Sequence, residues 1–202
     1  MFRRNRIANI TTALAAFAGK DACVPVMKYL SQTAGLIGLD TIRSRFTQEI
    51  RSGYEHRAKS CETCETPGAC CLDVHFVNIR ITRLEAATIA KRLGELPVES
   101  RDIVIQRIEN SIEKFELLSD RPMENRFFAC PLYEKGIGCL VHESGKPLPC
   151  IAHACYSKRG DLPPDELLIE REIEVEKLNA KVYGKAAVQL PLPVAIHNVL
   201  FA

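Results

Sequence analysis

Ile79-Arg-Ile-Thr82-Arg-Leu-Glu85-Ala-Ala-Thr-Ile-Ala-Lys-Arg-Leu-Gly94 decides how the rest of the chain is read, because within it the side-chain period changes from that of a strand to that of a helix. Upstream of the change, Val74 to Ile81 alternate, with His75, Val77, Ile79 and Ile81 on one side and Val74, Phe76, Asn78 and Arg80 on the other. Thr82 and Glu85 then form a capping box, the hydroxyl covering an early helix amide while the carboxylate reaches back to the cap. A helix is expected from about Arg83 to Leu93, ending near Gly94. Thr82 and Glu85 are therefore read as capping groups and not as ligands.

A second helix is expected from near Ser100, with Ile103, Val104, Ile108, Ile112, Phe115 and Leu118 drawing one apolar stripe. On both sides of this helical pair lie cysteines. Eight of the nine fall in two groups: Cys61, Cys64, Cys70 and Cys71 before it, and Cys130, Cys139, Cys150 and Cys155 after it. Glycines and prolines within and between them shorten the loops that would bring thiolates to one point, which lowers the entropic cost of ligation.

Adjacent side chains tend to point apart, so Cys70 and Cys71 do not easily serve one tetrahedral ion. They fit two centres, or two irons of one cluster, and eight thiolates divide into two sets of four, with Cys61 and Cys64 sharing one. His75, His142 and His153 stand near enough in sequence to be alternate ligands, His153 the best placed of them. The competing reading makes the cysteines buried hydrophobes or disulfides, although adjacent cysteines and a CxxC are awkward disulfide partners. A dithiol oxidoreductase using Cys61 and Cys64 is disfavoured, because Pro67 and Gly68 follow where a thioredoxin-type motif enters a helix. Cys23, alone in Ala22-Cys23-Val24, reads as a small buried hydrophobe.

The remaining segments set the frame. Residues 1–58 look helical in pieces, with breaks at Pro25, Gly35 and Gly38, and form an N-terminal helical appendage. The cysteine-cluster domain spans residues 59–160. Within it, Arg126 to Ala129 and Gly138 to His142 have hairpin character, followed by a turn at Glu-Ser-Gly145-Lys-Pro147. Residues 161–202 form a C-terminal helical region. Its helix begins at Asp161-Leu-Pro-Pro-Asp165 and runs to about Tyr183, with Leu168, Ile169, Ile173 and Leu178 as apolar positions, and an apolar tail from Gln189 docks back on the core. The expected fold is mainly α with small β-hairpin elements, a cysteine-rich metal-binding core being held between helices.

Charge and composition narrow the function classes. The chain has 202 residues and a net charge of +2, made of +6 in residues 1–60 and −4 in the rest. That imbalance is too mild for a nucleic-acid groove, and without tryptophan there is little to stack on bases, so no nucleic-acid partner is expected. No apolar run approaches the roughly 18 residues of a membrane span. Residues 1–18 have a basic start and a short apolar run ending in Ala16-Phe17-Ala18, a pattern shared by export signals, organellar presequences and basic surface helices. There is no Walker loop, no Rossmann glycine fingerprint and no HExxH.

The run Cys61-x2-Cys64-x5-Cys70-Cys71, then Ile79-Arg-Ile-Thr82-x2-Glu85, then Cys130-Pro131-Leu132, Gly138-Cys139-Leu140-Val141-His142 and Lys146-Pro147-x2-Cys150, resembles the YkgJ-like cysteine-cluster family. The resemblance covers about residues 61–157. It implies a zinc- or iron-chelating domain, usually cytoplasmic, whose cofactor is zinc or an iron-sulfur cluster. Where the family often has Arg-Pro, this chain has Lys146-Pro147. The role it implies is that of an accessory, electron-transfer or interaction factor with an unnamed protein partner. The alternative is an iron-sulfur-dependent enzyme of redox or methyl-transfer type, since flagellin lysine methylases carry a similar cysteine pattern. The expected compartment is the cytoplasm, or outside it if residues 1–18 are a targeting segment.

Overall fold

A computed structural model of the chain describes residues 29–59, 71, 79–119 and 128–202. The expected segments at 1–18 and at Pro25, together with Cys23, Cys61, Cys64, Cys70 and His75, lie outside the described residues. The described part is mainly helical. Its helices are α1 (Gln32–Gly53), α2 (Arg83–Gly94), α3 (Val98–Lys114), α4 (Leu148–Ala152), α5 (Asp165–Tyr183) and α6 (Leu192–Leu200). Two-residue strands pair antiparallel: β1 (Ala58–Lys59) with β5 (Cys155–Tyr156), β2 (Arg80–Ile81) with β6 (Leu190–Pro191), and β3 (Tyr133–Glu134) with β4 (Gly138–Cys139).

Helix α2 forms where the capping box was read. The Glu85 amide donates to Thr82 Oγ1 at 3.3 Å, and the Thr82 amide and hydroxyl both donate to Glu85 Oε2, at 2.8 and 3.0 Å. A further amide of its first turn, that of Leu84, donates to Asn179 Oδ1 of α5 at 3.0 Å. That bond satisfies an otherwise costly buried asparagine, which is 4% exposed.

Hydrophobic packing lies on both sides of α2. On one side Ile89 and Leu93 meet Val104 and Ile108 of α3, Leu192 and Ile196 of α6, and Phe128, Leu132 and Val141. On the other, Leu84 joins Leu39, Phe46 and Ile50 of α1, Leu148 and Ile151 of α4, and Val175 of α5. The tail therefore docks as its apolar composition indicates. It also extends β2, the Leu192 amide donating to Ile79 O at 2.9 Å.

Four expectations are corrected. Helix α1 runs unbroken through Gly35 and Gly38, because α5 crosses it there at close range. A Cβ on Gly35 would stand 2.4 Å from Val182 Cγ2, and one on Gly38 3.1 Å from Leu178 Cδ2, so these glycines serve approach and not a break. The apolar stripe of α3 is shorter at both ends than expected: Ile103 is 49% and Leu118 68% exposed, and Leu117 is buried instead of Leu118. The helix stops at Lys114, and Glu116 takes a left-handed φ of 49°, which shifts the register by one. On α5, Ile169 and Ile173 are exposed, and Val175 and Asn179 occupy the buried face. The hairpin arms are also displaced. The arm paired with Gly138–Cys139 is Tyr133–Glu134, Phe128 and Ala129 are in no strand, and Arg126 and Phe127 lie outside the described residues; Gly136, with φ of 85°, sits in the turn and Gly138, with φ of 102°, opens β4.

Candidate metal centre

The second cysteine group is carried by short elements, with Cys139 in β4, Cys150 in α4 and Cys155 in β5. The Cys130–Cys139 stretch is the β3–β4 hairpin, in which Tyr133 pairs with Cys139. Arg107 of α3 fastens it from outside, donating through Nη1 to Tyr133 O at 3.0 Å and through Nη2 to Glu134 Oε2 at 2.7 Å. Phe128, 1% exposed, anchors the entry to the hairpin beside Phe115, their ring centroids 6.2 Å apart.

The turn that leads to Cys150 is held by two buried charged groups. Arg43 of α1 donates through Nε to Lys146 O at 2.9 Å and through Nη1 to Ser144 O at 3.0 Å. Glu85 of α2 lies beside Leu148, whose amide favours the charged carboxylate. Burial lowers the pKa of Arg43, opposed by the charges of Asp40, Glu85 and Cys139, and an arginine starts high enough to stay cationic all the same. Burial likewise pushes the Glu85 carboxyl up, against the hydrogen bonds from Thr82 and Leu148 and the nearby Arg43. Lys146, where an arginine side chain was in question, takes part here through its carbonyl.

The first cysteine group meets the second at Cys71, and the strand that precedes it meets the second at Cys155. The Cys130 amide donates to Cys71 O at 2.8 Å, so the last residue of the first group lies against the first residue of the second. At the opposite ends, Lys59, two residues before Cys61, pairs with Cys155 across β1 and β5. Cys71, Cys130, Cys139 and Cys150 are partly buried and Cys155 is exposed. Cys130, Cys139 and Cys150 pack along the edge of the larger core cluster. No family model, curated protein or solved structure matches the chain. Among the described residues alone, no three Cys, His, Asp or Glu side chains converge into a metal-binding group.

The histidines divide. The His142 amide donates to Cys139 O at 3.1 Å. Its imidazole is held below the usual range by burial and then by Lys146, which favours the neutral form able to ligate. His153 caps the C-terminus of α4, between Cys150 and Cys155. Beside Cys155, the Tyr156 hydroxyl is buried without a hydrogen-bond partner among the described residues. Beside α1, an open cleft takes in Arg43 and Arg51 but also Asp40 and Glu143, which leaves it no net charge with which to select a ligand.

Arg43 is the residue sequence reasoning passed over. Nothing in the linear pattern separates it from Arg45 and Arg51. The available signal is its register: Leu39, Arg43, Phe46 and Ile50 share one helix face, and an arginine on a buried stripe needs a partner.

Proposed function

We propose that the chain is a metal-binding protein that holds zinc or an iron-sulfur cluster between its two cysteine groups, and that it acts as an accessory or electron-transfer factor. The observation that carries this reading is the pairing of Cys71 with Cys130 and of Lys59 with Cys155. Fixing the two ends of a loop beside four further cysteines removes the loop-closure part of the entropic cost of ligation. The donor set fits the group: soft thiolates from Cys61, Cys64, Cys70, Cys71, Cys130, Cys139, Cys150 and Cys155 suit zinc or iron-sulfur chemistry, with His142 and His153 as nitrogen donors within the same segments. The resemblance to the YkgJ-like cysteine-cluster family points the same way.

Bound zinc would clamp the cysteine segments and add folding free energy directly, whereas an iron-sulfur cluster would supply a one-electron couple. In either case the larger core cluster packs against Cys130, Cys139 and Cys150 and shields that side of the centre from water. Zinc and iron analysis with a visible spectrum, on protein purified without air, tests the reading. Stoichiometric zinc without colour, or iron with acid-labile sulfide and broad visible absorbance, supports it and chooses between the two. Protein that is folded and fully reduced yet holds neither metal overturns it.

A further inference from the structure

Arg43 is 6% exposed, on the face of α1 that otherwise carries Leu39, Phe46 and Ile50. Burying a guanidinium there is costly, and an apolar side chain would complete the stripe at lower cost. What the arginine supplies instead is two donors in a rigid fork, and both go to main-chain carbonyls of one turn, those of Ser144 and Lys146. The turn is tight from its other side as well. The Gly145 amide donates to Val141 O at 2.9 Å, and a Cβ on Gly145 would lie 2.8 Å from the Val141 side chain. Two residues after Lys146, Leu148 lies beside the Glu85 carboxylate, which the Thr82 amide and hydroxyl both bind. Cys139 precedes this turn and Cys150 follows it, and Cys139 is near enough to Arg43 for their charges to interact. Neither Arg43 nor Glu85 is itself a soft ligand.

We infer that Arg43, together with Glu85, is a positioning residue for the metal centre: the pair fixes the turn of residues 144–148 and so sets the separation of Cys139 and Cys150 before metal is bound. This rests on the metal-binding reading above. Helix α1, which lies outside the cysteine motif, is then a working part of the centre. Groups that orient ligands without touching the metal govern how tightly it is held, because disorder they do not remove beforehand must be removed on binding.

The test uses the full chain purified without air, as wild type, R43K, E85Q and L39V. The L39V variant loosens the α1 core without removing a hydrogen bond to the turn. Each protein is titrated with EDTA, remaining zinc and iron are counted, and thermal midpoints are recorded alongside. R43K keeps the charge but loses the fork, and is expected to release metal at roughly 10- to 100-fold lower chelator concentration than wild type. L39V, compared at the same margin below its own thermal midpoint, is expected to retain metal like wild type. Equal retention by R43K and L39V overturns the positioning role while leaving the metal centre standing. A wild type that holds no metal overturns the metal reading itself. If R43K does not accumulate as folded protein, E85Q decides the matter by the same comparison.

Discussion

At the scale of single residues, the buried polar side chains among the described residues are Arg43, Thr82, Glu85 and Asn179, and all four bond main-chain groups, Arg43 and Asn179 those of other segments and Thr82 and Glu85 each other's within the α2 cap. Removing the Thr82 hydroxyl strips the α2 cap and one donor from a buried carboxylate, so T82A should cost about 1 to 2 kcal/mol in urea unfolding. The pH dependence of Glu85 follows from its raised pKa. The folded state binds its proton more tightly than the unfolded chain does. The resulting stabilisation is fully present below the unfolded carboxyl value and is lost as pH rises through the folded one. Relative to E85Q, the wild type should therefore gain stability on acidification across that window. A difference between the two that is flat with pH, or that has the opposite slope, would contradict the assignment. The capping pair was readable from Thr82-x2-Glu85, since the box is a local device. The bonds of Arg43 span about a hundred residues of sequence and have no local signature.

At the scale of elements, α1 packs closely against α5. Arg45 and Arg171 both pair with Glu174, and Gly35 and Gly38 admit Val182 and Leu178. Ala at position 35 would gain about 1 kcal/mol of helix propensity but would have to displace Val182. Overpacking of this kind costs about 1 to 3 kcal/mol, so G35A should destabilise on balance, and G38A by less because its neighbour stands farther off. A stabilised G35A, measured by chemical denaturation, would mean that the helices can part freely. Helix positions were legible where local start signals were strong, the Thr82 box for α2 and the Pro163-Pro164 pair for α5, although the buried face of α5 was not. They were misread where a residue type was judged without its partner: a glycine inside a helix marks a break or a close neighbour, and only the second helix tells which. The displaced hairpin has the same origin. Its strands are too short for alternation to locate, and Gly136 and Gly138 rather than the apolar residues set the turn.

At the scale of the whole molecule, helices on either side of α2 form a frame to which the cysteine segments are tied by Arg43, Arg107, Glu85 and the β1–β5 pair. Because the frame has its own hydrophobic packing, metal removal should lower the thermal midpoint and loosen the cysteine segments while most helical circular dichroism survives. Complete loss of helical signal on chelation would show instead that the metal organises the frame. Among the described residues, no helix is long and apolar enough to cross a membrane. Convergence of the two cysteine groups is the central claim, and X-ray absorption at the edge of the bound metal tests it most directly. The expected result is a first shell dominated by sulfur at about 2.3 Å, with sulfur lost when either Cys71 or Cys130 is replaced by serine. A shell of oxygen and nitrogen alone, or a sulfur count that changes with only one of the two cysteine groups, would contradict it.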